Sequence, residues 1–343
     1  MRIQFLIHKR LHSSFGLTNS CNFTARLLHL QYPCEVAEID DGNGIDRAVT
    51  RFKPDLAIIE ALWVTPAKLR EVARLHKRVQ WIVRLHSHLP FLTQEGIAIE
   101  WLEAYRLIPN VFIAVNDERL TREFSTALGW QTDLLPTGYW PGYGITHTPR
   151  PDNPGQPVNI GCFGAIRPFK NQLTQAFAAI AFCRAINRPL RFHVNGPDIG
   201  PAYDSGPQMG AGILKNLCAL FAVTKNAELI LHGWYAHRQF LQVINAMDVG
   251  MQVSFTETFN IVAADFAWNQ IPIVASHEIP WLDHGYLVDN PSSTSQIVDA
   301  LNHAYANRFQ MEHCQSLRNL KYYNAIAYTH WLDALEAHDF KAA

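Results

Sequence analysis

Two acidic residues, Glu257 and Asp265, lie in a segment whose pattern suits an anion-binding site. The surrounding residues predict a strand, a short polar loop that presents Glu257, and a helix that begins near Phe259 or Asn260. The first N–H groups and the dipole of such a helix attract a diphosphate. Glu257 could then accept hydrogen bonds from sugar hydroxyls, and Asp265 could accept them from ribose hydroxyls. The alternative is a surface glutamate and a helix aspartate without any ligand.

The elements that position these acids follow one rhythm along the whole chain. Apolar runs of strand length alternate with stretches of helical periodicity, which is typical of parallel sheets covered by helices. Residues 146–157 hold four prolines in twelve positions and predict a linker. We therefore expect an α/β fold with two Rossmann-like parallel-sheet domains facing a cleft. The domains are predicted at 1–145 and 158–320, and a final helical segment at 321–343.

Local signals set several boundaries within these domains. Pro66 suits the first turn of a helix, and Asp117 is a suitable cap for another. The first helix is predicted at 22–30, after a loop at 8–16. The stretch 197–212 is rich in Gly and Pro and is predicted to be a loop.

Composition excludes several classes of protein. The chain has 343 residues, of which 48% are hydrophobic and 17% charged, so it can form two packed cores. Its net charge of −1 argues against a general polyanion-binding protein. The six cysteines form no Cys-x-x-Cys pair, which favours thiols in a reducing compartment. No apolar run has the length of a membrane span or a signal peptide, so a cytoplasmic protein without integral membrane association is expected.

The acidic segment resembles retaining glycosyltransferases of the GT-B fold, especially family 4. Those enzymes carry a Glu, seven residues, a second Glu, then a helix and a Gly-x-Pro-Val-Val-Ala-Ser strand. Glu257 matches the first acid, and residues 270–276 (Gln-Ile-Pro-Ile-Val-Ala-Ser) match the strand. Asp265 stands where the second Glu is expected, which is a departure. The resemblance covers about residues 158–305.

A second segment of the same resemblance lies at 160–173, which is similar to the family's Gly-Arg-Leu-x-x-x-Lys-Gly motif. Lys170 matches the diphosphate-binding lysine. Ala165 occupies the usual arginine position, and Arg167 could supply that cation. Breaking a sugar–diphosphate bond places negative charge on the leaving group, and one fixed positive group is worth about 3–4 kcal/mol of barrier.

The resemblance implies a nucleotide-diphosphate sugar donor, held mainly by the domain at 158–320. The other domain would bind the acceptor, and the last helix would pack back toward it. The residues expected to be catalytic are Glu257, His86, Lys170 and Arg167. The residues expected to bind the donor are Gly164, Asn195, Gly196, Thr256, Thr258, Phe259, Asn260 and Asp265.

The first half matches in architecture, and its candidates come from strand ends. His86 and His88 follow a strong apolar strand and resemble the family's His-containing loop near donor sugar and acceptor. Either could orient the acceptor or bind the sugar, and a structural role is the alternative. The loop after the first strand adds three acceptor-side candidates, Ser14, Phe15 and Gly16.

Further expectations concern the cofactor, the acceptor and alternative functions. GT-A enzymes hold a divalent metal with Asp-x-Asp, which is missing from this sequence, so metal-independent transfer without a cofactor is predicted. A saccharide or a lipid-linked glycan is the expected acceptor. A modified base in DNA is an alternative, because residues 1–30 contain four Lys or Arg and no acid. A non-catalytic binding or assembly module on the same fold is the other alternative, kept open by Asp265 and Ala165.

Overall fold

The computed structural model describes residues 1–9, 15–144, 151, 153–196, 207–282, 286–309 and 314–338. The first half contains β1 (Ile3–His8), α1 (Phe15–Leu28), β2 (Cys34–Ile39), α2 (Gly44–Phe52), β3 (Leu56–Glu60), α3 (Pro66–Leu75), β4 (Gln80–Leu85), α4 (Leu89–Leu92), α5 (Ala98–Arg106), β5 (Val111–Val115), α6 (Glu118–Leu128) and β6 (Asp133–Leu134). The second half contains β7 (Val158–Gly161), a 3-10 turn (Pro168–Lys170), α7 (Gln172–Ala185), β8 (Leu190–Asn195), α8 (Pro207–Val223), β9 (Ala227–His232), α9 (His237–Ile244), β10 (Val249–Gln252), α10 (Ile261–Trp268), β11 (Ile273–Ser276), β12 (Tyr286–Val288), α11 (Thr294–Ala306) and α12 (Cys314–Ala337).

The chain divides into two compact units. Unit 1 comprises residues 1–141 and 323–343, and unit 2 comprises residues 142–322. The sheet of unit 1 has the order β2-β1-β3-β4-β5-β6, and that of unit 2 has the order β12-β11-β10-β7-β8-β9. All strand pairs are parallel. The predicted α/β fold with two Rossmann-like sheets is confirmed.

Helix boundaries in unit 1 follow from capping chemistry. The Thr65 side chain accepts a hydrogen bond from Lys68 N, and Pro66 occupies the first turn of α3. Asp117 accepts from Arg119 N and caps α6, which ends at Gly129 with φ of 65°. Both predicted helix starts are therefore confirmed.

The last helix contributes to the core of unit 1. Trp331 is fully buried, and its ring centroid lies 5.9 Å from that of Phe5 on β1. Its indole N–H donates to the Pro136 carbonyl at 2.8 Å. Asn324 holds the backbone of Tyr139 from both sides, since its Oδ1 accepts at 2.8 Å and its Nδ2 donates at 2.7 Å. These contacts fix the chain after β6, which includes the partners of Arg84 described below.

Two boundary predictions are wrong. Helix α1 begins at Phe15, so Phe15 and Gly16 are helical and do not belong to a loop at 8–16. Helix α8 begins at Pro207, inside the predicted loop at 197–212. Its Gly210 packs so closely that a Cβ there would lie 2.8 Å from the Ile166 carbonyl oxygen. The glycine therefore permits a close contact within a helix, whereas its sequence signature suggests a helix breaker.

In the part of the chain that the structure describes, no helix is both long enough and apolar enough to cross a bilayer.

Candidate active site

The loop that carries Lys170 is fastened to the end of β10. Asn171, in the left-handed region with φ of 58°, donates through Nδ2 to the Val253 carbonyl at 3.1 Å. Gln175 accepts from Val253 N at 2.9 Å and donates to the Lys170 carbonyl at 2.8 Å. Side-chain amides thus fix the backbone of the 3-10 turn against the strand that leads to Glu257. Lys170 therefore has a defined position relative to that acid.

Lys170 and Glu257 form the central ion pair of this site. Lys170 Nζ lies 2.5 Å from Glu257 Oε1, and the same oxygen accepts from Asn260 Nδ2 at 2.9 Å. The Glu257 side chain is 6% exposed and that of Lys170 is 20% exposed. Charge-assisted hydrogen bonds of this kind are about twice as strong as neutral ones. The pair places one cation and one oriented carboxylate at the carboxyl end of β10.

Asn260 organises the start of α10. It adopts φ of 59°, and its Oδ1 caps the helix by accepting from Ala263 N at 2.9 Å. Its Nδ2 also lies 2.9 Å from Gln252 Oε1. Phe259 is buried, and its carbonyl accepts from Trp281 Nε1 at 2.7 Å. The helix begins at Ile261, one residue beyond the predicted range, and Asn260 joins the helix cap to Glu257.

A second group of predicted residues meets where β7 and β8 end. Gly164 has φ of 106°, and its N–H donates to Asn195 Oδ1 at 2.7 Å. Asn195 Nδ2 donates to the Gly233 carbonyl at 3.3 Å. Gly196 N donates to the His232 carbonyl at 2.6 Å. The structure therefore brings Gly164, Asn195 and Gly196 together at the strand ends, where open α/β sheets bind ligands.

Asp265 is part of a buried hydrogen-bond chain that the sequence analysis missed. Its Oδ1 lies 2.6 Å from His237 Nε2, and His237 Nδ1 lies 2.7 Å from the Tyr143 hydroxyl. Asp265 is 2% exposed and His237 is 7% exposed. Trp268 on the same helix donates its indole N–H to the Tyr143 carbonyl at 2.9 Å. No sequence motif joins these residues, because they come from three separate segments.

The remaining unit 2 candidates differ in burial. Thr256 is buried, and Thr258 and Arg167 are partly exposed. Ser254 lies between β10 and β11, where its carbonyl accepts from Ser276 Oγ at 2.7 Å. The acidic loop is therefore held on both sides before it reaches Glu257.

In unit 1, His86 and His88, the two histidines predicted to contact a substrate, have different surroundings. His88 is 2% exposed, its Nε2 lies 2.8 Å from Asp117 Oδ1, and its Nδ1 accepts from Arg119. The His86 side chain is 16% exposed, and its Nε2 contacts Glu60. His88 is thus enclosed by two charged partners, whereas the His86 side chain is partly exposed.

Glu60 and Arg84 are the residues that sequence analysis missed beside His86. Both side chains have 0% exposure, and Arg84 Nη1 lies 3.0 Å from Glu60 Oε2. Burial raises the pKa of Glu60, but the charges and hydrogen bonds of Arg84 and His86 outweigh it and leave the pKa below its ordinary value. Burial lowers the pKa of His86, and Arg84 adds to this, against the opposing effect of Glu60.

Three acceptor-side candidates remain. Gly16 is partly exposed in the first turn of α1, and Phe15 begins that helix. Ser14 lies outside the described residues. Among those residues, no group of three or more His, Cys, Asp or Glu could hold a metal ion. Within the described residues, predicted catalytic residues belong to one polar cluster around Glu257 in unit 2 and to another around His86 in unit 1.

Comparison with known proteins gives a consistent result for the fold. No protein-family model matches the sequence, and no curated protein gives a significant match. The UDP-forming α,α-trehalose-phosphate synthase from Burkholderia vietnamiensis superposes with a TM-score of 0.62 at 12% identity, covering 100% of both chains. A trehalose-6-phosphate synthase studied for glycosyl transfer with retention gives 0.57 at 12% identity, covering 88% of this chain and 77% of that one. A glycine-to-arginine mutant of S. aureus TarM in complex with fondaparinux, α-GlcNAc-glycerol and UDP gives 0.58 at 13% identity, covering 84% of this chain and 57% of that one. The chain has the GT-B fold of these glycosyltransferases.

Proposed function

We propose that this protein is a glycosyltransferase that moves a sugar from a nucleotide-diphosphate sugar to an acceptor hydroxyl. The observation that carries the proposal is the Lys170–Glu257–Asn260 cluster at the carboxyl end of β10. It offers a cation for a leaving diphosphate and a carboxylate for a sugar hydroxyl on a fold shared with sugar transferases. Unit 2 would bind the donor, and unit 1 would serve the acceptor.

The chemistry requires charge stabilisation more than a nucleophile. The bond between the anomeric carbon and the diphosphate oxygen breaks, and its electron pair leaves on the diphosphate. The acceptor oxygen forms the new bond to the anomeric carbon, and its proton passes to the departing diphosphate. Lys170 and Arg167 would stabilise the diphosphate, and loss of one such group costs about 2.7–4 kcal/mol of barrier. Because these cations can take the role of a metal ion, we propose metal-independent transfer without a further cofactor.

Retention and family 4 membership belong to the same proposal. A trehalose-6-phosphate synthase with this fold was studied for transfer with retention, which supports the expected stereochemistry. Gly164, Asn195 and Gly196 would contact the nucleotide, because they meet at the ends of β7 and β8. Asp265 would contact the ribose while it remains bonded to His237.

For the acceptor we propose a saccharide or a lipid-linked glycan. The TarM complex contains α-GlcNAc-glycerol, which is a glycoside with polar hydroxyls. The proposal does not extend to DNA, because the similar solved structures are sugar transferases and two described basic residues near the chain start already have partners. Lys9 lies 3.8 Å from Asp40, and Arg26 donates to the Pro141 carbonyl. The cytoplasmic location expected from the cysteine pattern is part of the same proposal.

A ligand screen followed by a rate measurement tests the proposal. Thermal unfolding would be followed in the presence of UDP, GDP, ADP and their glucose or mannose conjugates. A nucleotide that binds the folded protein should add about 2.7 kcal/mol to the free energy of unfolding when its concentration is about 100 times its Kd. Donor hydrolysis would then be measured for the wild type, Glu257→Gln and the control Glu228→Gln. Glu228 forms an exposed pair with Arg191 in the same unit at 3.0 Å, so its replacement should leave the rate unchanged.

The outcomes separate the competing functions. We expect stabilisation by one nucleotide class and hydrolysis that is lost only in Glu257→Gln. Stabilisation without any turnover by the wild type would instead identify a non-catalytic binding module. The absence of stabilisation by every nucleotide would refute the donor site.

A further inference from the structure

The ends of β3 and β4 carry an ionic cluster in the interior of unit 1. Glu60 and Arg84 are register partners in the parallel sheet, and both side chains are fully buried. Arg84 donates through Nη1 to both Glu60 oxygens, at 3.2 and 3.0 Å, and through Nε to the Leu135 carbonyl at 2.8 Å. Its Nη2 donates to Thr137 Oγ1 at 3.1 Å. The guanidinium is thereby fixed in one orientation.

His86 is the member of this cluster that reaches the surface. Its Nε2 contacts Glu60 Oε2, and its side chain is 16% exposed, compared with 0% for Glu60. Arg84 Nη1 also lies 3.4 Å from Nε2, at the outer limit of a hydrogen bond, so the closer contact with Glu60 decides the tautomer. A carboxylate can only accept, so that contact requires a proton on Nε2. In a neutral imidazole, Nδ1 then carries the lone pair. The carboxylate therefore determines which ring nitrogen can act as an acceptor.

A buried ionic cluster of this kind is a poor way to gain stability. Replacing a buried ion pair with apolar residues of similar volume is often neutral or stabilising. The Arg84–Glu60 pair is hydrogen-bonded to the Leu135 carbonyl and to Thr137, and it contacts a partly exposed histidine, His86. That arrangement matches the general pattern in which an outer carboxylate orients a functional imidazole.

We propose that Glu60, itself fixed by Arg84, is a positioning residue that holds His86 as the Nε2–H tautomer, so that Nδ1 accepts a hydrogen bond from a hydroxyl of a sugar substrate. This inference rests on the proposed glycosyl transfer. It assigns His86 the substrate contact and His88 a structural one, because Asp117 and Arg119 enclose His88. It also gives a function to Glu60 and Arg84, which belong to no recognised sequence motif.

The charged groups around His86 determine the pH dependence. Glu60 and Arg84 face it directly, while Cys21 on α1 and Tyr323 on α12 interact electrostatically with the same cluster. Burial and Arg84 lower the pKa of His86, and Glu60 raises it. Removing the Glu60 charge should therefore lower the pKa of His86 further. Activity that needs neutral His86 would then persist to more acidic pH.

The test combines a pH–rate profile with a direct observation of the tautomer. Donor turnover would be measured against pH for the wild type, Glu60→Gln, Glu60→Asp and the control Glu71→Gln. Glu71 forms an exposed i,i+3 pair with Lys68 at 2.7 Å, so its replacement is the same chemical change away from the cluster. Long-range ¹H–¹⁵N NMR on ¹⁵N-histidine protein would report the ring protonation, with the signal assigned by its loss in His86→Gln.

We expect kcat/KM to fall about tenfold to hundredfold in Glu60→Gln, by analogy with the loss of the outer hydrogen-bond partner of a metal-ligating histidine. We also expect the acid limb to move to lower pH, partial recovery in Glu60→Asp, and a wild-type profile in Glu71→Gln. The NMR spectrum of the wild type at pH 7 should show neutral His86 with the proton on Nε2.

Several results would overturn this role for Glu60. A folded Glu60→Gln protein with an unmoved acid limb would do so, and so would an Nδ1–H tautomer or an imidazolium in the wild type at pH 7. If Glu60→Gln does not fold, the wild-type NMR spectrum still decides the tautomer. Absence of wild-type turnover with every donor would refute the proposed function, whereas the tautomer measurement would still apply to His86.

Discussion

Replacing Lys170 with methionine tests the central ion pair, because methionine keeps most of the length and removes the charge. In Lys170→Met the Glu257 carboxylate, 6% exposed, keeps Asn260 Nδ2 as its neighbour at 2.9 Å but loses the ammonium at 2.5 Å. Breaking a fully buried pair costs about 3–5 kcal/mol. Lys170 is one-fifth exposed, so water can reach the vacated side, and we expect a loss of about 1–3 kcal/mol in the free energy of unfolding.

The substitution Glu257→Gln, which removes the other charge of the pair, should lower the free energy of unfolding less than Lys170→Met does. In Glu257→Gln the remaining ammonium can turn toward solvent, and we expect a loss of about 1 kcal/mol. The double variant should be more stable than the sum of the two single losses predicts, by about 1 kcal/mol or more, because neither charge remains unpaired. Urea unfolding of the four proteins would measure this coupling.

Rates of donor hydrolysis, measured for the same variants, test the function of the ion pair. Lys170→Met should lower kcat for donor hydrolysis about 10²–10³-fold, the effect of removing one fixed group that stabilises transition-state charge. The double variant Lys170→Met/Glu257→Gln should remain inactive, although its free energy of unfolding is higher than the sum of the two single losses predicts. Additive stability losses would show that the pair does not form in solution. A wild-type kcat in Lys170→Met would refute its role at the diphosphate.

Three further predictions address the rest of the chain. Tyr143→Phe should lower the free energy of unfolding by about 0.5–1.5 kcal/mol in urea denaturation, because it removes the hydroxyl 2.7 Å from His237. Trp331→Ala should cost about 3–5 kcal/mol, since this indole is fully buried, and an unchanged urea midpoint would contradict its packing in unit 1. The pKa of His86 lies below its ordinary 6.5 and that of Glu60 below 4.5, so the folded state binds fewer protons than the unfolded state in acid. Stability should therefore fall as the pH drops below about 6.5 and fall further below about 4.5, and His86→Gln should flatten the upper part of the measured curve.

Local chemistry made much of the architecture predictable. The strand β5 consists of five consecutive apolar residues, Val111–Val115, between turn signals, and such a run predicts a strand from local sequence alone. The helix start at Pro66 and the Asp117 cap could also be predicted, since each depends on residues a few positions apart, whereas the Thr65 cap was found only in the structure. The acidic loop was predicted for the same reason, and Glu257 lies just after a buried strand.

Contacts between distant segments could not be read in this way. Asp265 suggested a ligand contact from its spacing, but its bond to His237 depends on how α9 and α10 pack. Glu60 ends an apolar strand and carries no motif, and its role appears only when register pairing places Arg84 beside it. Gly210 shows the same limit for a boundary, because the nearby Ile166 carbonyl explains a glycine that otherwise indicates a loop.

Crystals grown with UDP-glucose, GDP-mannose or ADP-glucose offer the most direct test of donor binding in unit 2. We expect a diphosphate oxygen about 3 Å from Lys170 Nζ and a hydrogen bond from a hydroxyl of the transferred sugar to Glu257. A nucleotide sugar bound at another place, with the Lys170–Glu257 pair unchanged, would contradict it.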